Sequence, residues 1–148
     1  MIQLKPVTQE NFADVIVLRV GNGQERFVST VAESLEQAGF YKETAYPFAV
    51  CNDDVIVGFI MMGYYEAKQY YTLWKLLIDY RFQNKGYGRQ ALELGLKYIK
   101  DRFGPKEIYT GVIPENIIAK KLYESVGFKY TGLVEDGMEE MRLSCMED

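Results

Sequence analysis

Two glycines one residue apart, Gly86 and Gly88, join an apolar run, Leu76-Leu77-Ile78, to an amphipathic stretch that continues through Ala91 and Leu92. Glycine lets a loop turn its N–H groups inward with no Cβ in the way. At the start of a helix, unsatisfied donors and the helix dipole together attract an anion. The stretch Gln83-Asn84-Lys85-Gly86-Tyr87-Gly88-Arg89 therefore reads as a seat for a phosphate or pyrophosphate, with Lys85 and Arg89 as flanking cations. A Walker loop is excluded because no Gly-Lys-Ser/Thr follows, although the segment fits the relaxed dinucleotide pattern G-x-G-x-x-A. An ordinary strand-to-helix turn needs glycine as well, so the neighbouring elements must decide.

A second group is Asn116, Ala119 and Tyr123, which fall at i, i+3 and i+7 and share one helix face. That face offers an amide, a small residue for close approach and a phenol. A neutral phenol can give a proton to a departing group. Aromatic residues at helical spacing also serve as core, and the residues alone leave both roles open.

The elements that must position these groups follow from periodicity. Ile2 and Leu4 begin a first strand, and Thr8 caps a helix with Phe12, Val15, Ile16 and Val20 on one face. Gly21-Asn22-Gly23 breaks it, and a second helix is predicted over 24–38 with Phe27, Val31 and Leu35 in register. From Pro47 the period becomes strand-like: strands over 48–51 and 55–62 flank Asn52-Asp53-Asp54, and a third covers 70–78. After the glycine loop a helix runs to Phe103, where Gly104-Pro105 stops it. A strand over 107–112 is reached by a right-handed crossover and should lie parallel to the strand before the loop. A helix over 114–125 and strands over 127–130 and 139–143 complete the chain. The reading is a mixed α+β fold: a mostly antiparallel sheet of six to seven strands with one parallel pair, flanked by four helices. A Rossmann arrangement is excluded, because its glycine turn follows the first strand and parallel strands follow it.

Composition sets the remaining bounds. At 148 residues and 48% hydrophobic, the chain suits one domain over 1–148. A net charge of −4 argues against nucleic acid and suits a cationic small molecule. There is no histidine, which removes a His triad, a His base and a His-containing zinc site, and no metal is expected. Cys51 and Cys145 lack metal-ligand spacing. The first residues lack a basic start with a long apolar run, and the longest apolar stretch, 55–62, is too short to span a bilayer. A cytoplasmic protein without membrane contact is expected.

The two groups together resemble the GNAT superfamily of acetyl-CoA-dependent N-acetyltransferases. The Q/R-x-x-G-x-G/A loop of that family is matched by Gln83, Gly86 and Gly88, and its N-x-x-A-x-x-L-Y-x-x-x-G-F segment by Asn116, Ala119, Leu122, Tyr123, Gly127 and Phe128. The order of elements agrees along essentially the whole chain. The resemblance implies a splayed pair of parallel strands, with acetyl-CoA as cosubstrate. The backbone of Leu77 and Ile78 would pair with the pantetheine arm, and the loop, Asn84 and Tyr87 included, would hold the pyrophosphate. Asn116 and Ala119 would line the arm, Lys121 would reach the nucleotide phosphates and Tyr123 would act as general acid. Within the superfamily, the runs 77–88 and 119–125 are similar to those of bacterial spermine/spermidine acetyltransferases, which implies a polyamine acceptor. Glu33, Glu36, Tyr64, Glu66 and Asp79, with Tyr65 and Tyr80, are the candidates for holding or deprotonating the amine. Other amine acceptors, a protein N-terminus or an aminoglycoside, stay open, as does a CoA-binding sensor module. Family members of this size are often dimers, so a homodimer is expected.

Overall fold

The apolar run 57–62 forms the centre of the sheet and is buried on both faces. Phe59 and Met61 point to one side, and Ile60 and Met62 to the other, all at 1% exposure or less. A strand covered on both faces reads as a continuous rather than alternating apolar run, and the sequence shows that pattern. The computed structural model of the chain describes residues 1–21, 24 and 30–146.

Seven strands and four helices are found among these residues: β1 (Ile2–Pro6), α1 (Phe12–Ile16), α2 (Val31–Phe40), β2 (Ala45–Asn52), β3 (Val55–Tyr65), β4 (Tyr70–Ile78), α3 (Tyr87–Phe103), β5 (Glu107–Val112), α4 (Ile117–Ser125), β6 (Lys129–Glu135) and β7 (Met138–Ser144). The strands form one sheet in the order β1-β2-β3-β4-β5-β7-β6. Every pairing is antiparallel except β4 with β5, as expected of a crossover through α3. On one face Ala91, Leu92, Leu96 and Ile99 of α3 and Tyr123 of α4 pack with Ile60, Met62 and Leu73. On the other, Val15, Val31 and Ala38 of α1 and α2 pack with Phe59, Met61 and Leu77.

Two irregularities in β4 shape the site. Met61 pairs with Lys75 and Met62 with Leu73, so Trp74 is an extra residue, a bulge that bends the strand. The parallel pairing is also short. It joins Tyr71, Thr72 and Leu73 to Ile108, Tyr109 and Thr110, and then the two strands part. Leu73 O, at the point of parting, accepts from Thr110 Oγ1 at 3.1 Å and from Thr72 Oγ1 at 3.3 Å. Both threonines are buried, and their hydroxyls satisfy a carbonyl at the point where the ladder stops.

The helix ends differ from the periodicity. The first helix is one short turn that starts after Asn11 and stops at Ile16, rather than running from Thr8 to Val20. Thr8 and Asn11 bond each other instead of capping the helix. Arg19 then pairs its N–H with Asp79 Oδ2 at 3.0 Å and its carbonyl with Tyr80 N at 2.7 Å, which draws the chain out of helical geometry. The second helix begins at Val31 behind a capping box of Thr30 and Glu33. Residues 25–29 of the predicted helix, Phe27 among them, lie outside the described residues. The fourth helix starts at Ile117, capped by the Asn116 side chain, three residues later than the sequence suggests. No described helix is long and apolar enough to cross a membrane.

Candidate active site

The loop after β4 is held open from within. Asp79, at 1% exposure, accepts from Arg19 N, from Arg81 N and from Arg81 Nε at 2.7 Å. Burial alone would raise its pKa, but the Arg81 side-chain bond, the two backbone N–H groups and the Arg81 charge outweigh burial and leave it below the usual carboxylate value. Its stabilisation is therefore present above the unfolded carboxyl pKa and is lost as pH falls through the lower folded value. Asp79→Ala is expected to cost about 2–4 kcal/mol, because three donors lose their acceptor. Denaturant titrations of both proteins should show the gap closing below about pH 4, where the wild-type carboxyl protonates too.

Gln83 is the second brace. Its amide donates to Ile78 O at 2.9 Å and to Gln24 Oε1 at 3.0 Å. Asn84 and Gly86 then take left-handed backbone angles, φ 63° and 82°. Glycine fits the second without strain. The first intrahelical bond of α3 runs from Gln90 N to Gly86 O at 3.2 Å, so the amides of Tyr87, Gly88 and Arg89 precede the helical ladder. They face an anion seat with the helix dipole behind them.

These amides open onto a cleft of about 500 Å³ between the end of β4 and the start of α4. Leu76, Leu77 and Ile78 form one wall, the glycine loop the floor, and Asn116, Ala119, Leu122 and Tyr123 the other wall. Gln83, Asn84 and Tyr87 line it as well. Lys85, Arg89 and Lys121 are exposed and lie outside the described lining. Arg89 pairs with Glu93 at 2.8 Å along the helix, and Lys120 with Glu139 at 2.9 Å.

Tyr123 is 9% exposed, its ring against Phe128 at 5.8 Å. Burial pushes its pKa up to about 12, with a Thr110 hydrogen bond pulling the other way. The phenol is thus neutral and a proton donor at any physiological pH. Tyr123 is both core and cleft wall, so the two roles the sequence left open are compatible.

A second cavity, about 440 Å³, meets the first at Leu76, Asn116 and Tyr123. Tyr41, Tyr65, Tyr70 and Trp74 give it aromatic walls, and Glu135, Asp136 and Glu140 of the β6–β7 hairpin give it carboxylates. Lys75 faces it too. Burial pushes the Lys75 ammonium down in pKa, with nearby Glu33 opposing.

The acidic residues expected to meet the amine are not brought together. Glu33 closes the α2 capping box, accepting from Thr30 N and Thr30 Oγ1 at 3.0 Å each. Glu36 is exposed on α2, Glu66 lies in the β3–β4 turn, and Tyr64 packs edge-on against Tyr71 at 4.9 Å. Asp79 is committed to the loop, and Tyr80 is exposed on its 3-10 turn. Of these candidates only Tyr65 is among the described lining of the second cavity. The acids found there, Glu135 and Glu140, flank Asp136-Gly137. Nothing local to that acidic hairpin says which cavity it overhangs.

A family model described as Acetyltransferase (GNAT) family matches residues 18–128. The chain belongs to that family. It is 30% identical to the spermine/spermidine N(1)-acetyltransferase of Bacillus subtilis (strain 168), with 95% of each chain covered. A Bacillus subtilis acetyltransferase solved in complex with CoA shares the fold at TM-score 0.71 and 16% identity, covering 98% of both chains. A GNAT family acetyltransferase from Elizabethkingia anophelis, solved with acetyl-CoA bound, does so at TM-score 0.71 and 18% identity over 97% of both. The protein is a GNAT N-acetyltransferase. The parallel pair that parts after three residues belongs to the fold that the resemblance in sequence implied. No group of His, Cys, Asp and Glu able to hold a metal occurs among the described residues.

Proposed function

We propose that the protein moves the acetyl group of acetyl-CoA to a primary amine of a polyamine such as spermidine or spermine. The observation that carries this reading is the common wall of the two cavities, Leu76, Asn116 and Tyr123. A donor reaching in from the glycine loop and an acceptor reaching in from the acidic side meet there. The cleft suits the donor: α3 amides for the pyrophosphate, and a β4 edge free of β5 beyond Leu73 for the amides of the pantetheine arm. The other cavity suits a flexible polycation, with carboxylates beside aromatic faces. The relatives at about 30% identity support the same acceptor.

In the reaction a neutral amine attacks the thioester carbonyl carbon, a C–N bond forms, and the C–S bond breaks. Tyr123 gives its proton to the departing thiolate, the nitrogen of the tetrahedral adduct loses its extra proton through the acceptor cavity to solvent, and the Tyr123 phenolate takes a proton back from solvent. An unpaired strand N–H stabilises the developing oxyanion. An alkyl amine has a solution pKa of roughly 10, so the cavity must take it up neutral or drain its proton. Lys75 faces the same cavity and its charge disfavours a second cation beside it, whereas Glu135 and Glu140 attract one.

Thiol release from acetyl-CoA is the test, measured with spermine, spermidine, diamines, aminoglycosides and N-terminal peptides. Turnover concentrated on spermine and spermidine is expected. Turnover confined to aminoglycosides or peptides would discard the polyamine, and tight acetyl-CoA binding with no turnover would point to a sensor.

A further inference from the structure

The acceptor cavity already contains an alkylammonium, and it belongs to the chain. Lys68, in the turn between β3 and β4, reaches across to the β6–β7 hairpin, where Nζ donates to Glu135 Oε2 and lies 3.8 Å from Glu140 Oε2. All three line the cavity that Tyr123 closes at its inner end. The fold does not depend on the bridge. The β3–β4 turn has its own bonds, Lys68 N to Tyr65 O and Gln69 N to Glu66 O. The hairpin has its ladder and a 2.9 Å bond from Thr131 Oγ1 to Glu140 Oε1. The pairing also keeps the Lys68 ammonium charged, chiefly through Glu135.

We propose that Lys68 is a resident stand-in for the distal ammonium of the acceptor: it occupies the Glu135–Glu140 seat in the free protein and gives it up when a polyamine enters. This rests on the polyamine reading above and adds to it a seat and a competitor. Displacement exchanges one primary ammonium for another, so neither carboxylate is left uncompensated. The released Lys68 side chain swings to solvent, 30% of it being exposed already. An amine with a single charge cannot make this exchange while its reacting end is neutral. The seat thus selects for a second cation, and Lys68 sets how strongly that cation must bind. Asp136 and Lys75 face the same cavity and are unaltered by the exchange.

Lys68→Met keeps the apolar stem and removes the competitor. It is expected to lower KM for spermidine about threefold to fivefold, the upper span of a partly exposed ion pair. The catalytic rate and the KM for n-butylamine should stay within about twofold of wild type, by the same scale. Lys68→Arg should resemble wild type, and adding Glu140→Gln to Lys68→Met should raise KM again. A spermidine KM that is unchanged or higher in Lys68→Met overturns the proposal. If wild type acetylates no polyamine, the polyamine reading fails by itself. The seat is then judged by calorimetric titration of butane-1,4-diamine into both proteins with CoA present. Tighter binding by Lys68→Met sustains the seat, and equal or absent binding in both overturns it.

Discussion

Tyr123→Phe is expected to lower kcat about a hundredfold to a thousandfold, the usual worth of a positioned general acid. The KM for acetyl-CoA should barely move, because the ring and its packing against Phe128 are kept. The stability cost should be small, at most about 1 kcal/mol for the loss of one hydroxyl's hydrogen bonding. The pH profile separates this from a structural effect. With a pKa of about 12, the phenol stays protonated across the working range, so any alkaline limb below about pH 10 belongs to another group. The variant should therefore be uniformly slow, with limbs where wild type has them. A kcat within about threefold of wild type would leave Tyr123 as core alone and remove the acid from the mechanism.

The second large effect is at Gly58, on β3 opposite the end of β4. A Cβ there would sit 2.4 Å from Leu77 O and 2.7 Å from Ile78 Cδ1. The isoleucine tip can rotate away, but the carbonyl cannot, since it is part of the strand. Gly58→Ala must push β4 outward, at a cost of about 2–3 kcal/mol for overpacking in a dense interior. That is roughly a 5–10 °C fall in Tm for a chain of this size. Because Leu77 and Ile78 form the wall of the donor cleft, the KM for acetyl-CoA should rise in parallel. Gly39→Ala is the control: nothing lies within 4 Å of its Cβ position on α2, and the variant should be as stable as wild type or slightly more so. Loss of stability at Gly58 without loss of acetyl-CoA affinity would show that the cleft does not depend on the β4 wall.

The fold was legible where period and punctuation agree. The run 55–62, the Gly104-Pro105 stop and the glycine loop each fix an element through local chemistry, and those elements stand where expected. The free amides of the glycine loop were legible for the same reason, since backbone amides at a helix start are a local property of 83–91. The lining of the second cavity was not. Glu33, Glu36 and Glu66 are acids whose neighbours along the chain say nothing about what they face. Glu33 instead completes an S/T-x-x-E capping box with Thr30. Glu135 and Glu140 reach the cavity only because β7 inserts between β5 and β6, a non-local choice of strand order. Trp74 likewise turns on a bulge that no residue type in β4 announces.

The three residue pairs that join β4 to β5 have one more consequence. They are the whole of the direct strand pairing between two leaves of the sheet. One leaf, β1 to β4 with the glycine loop, carries the donor wall. The other, β5 to β7, carries Glu135 and Glu140 and, with α4, Tyr123. Beyond so short a seam the leaves are joined by side chains rather than by a ladder: Ile60, Met62 and Leu73 of one share a buried cluster with Ile108, Phe128 and Met141 of the other. The amides near Leu73 and Thr110 should exchange with deuterium more readily than those of β3, and slow together when both substrates bridge the leaves. The two threonine hydroxyls on Leu73 O close off the ladder at its last pair, and beyond it the two cavities share Leu76, Asn116 and Tyr123 as lining.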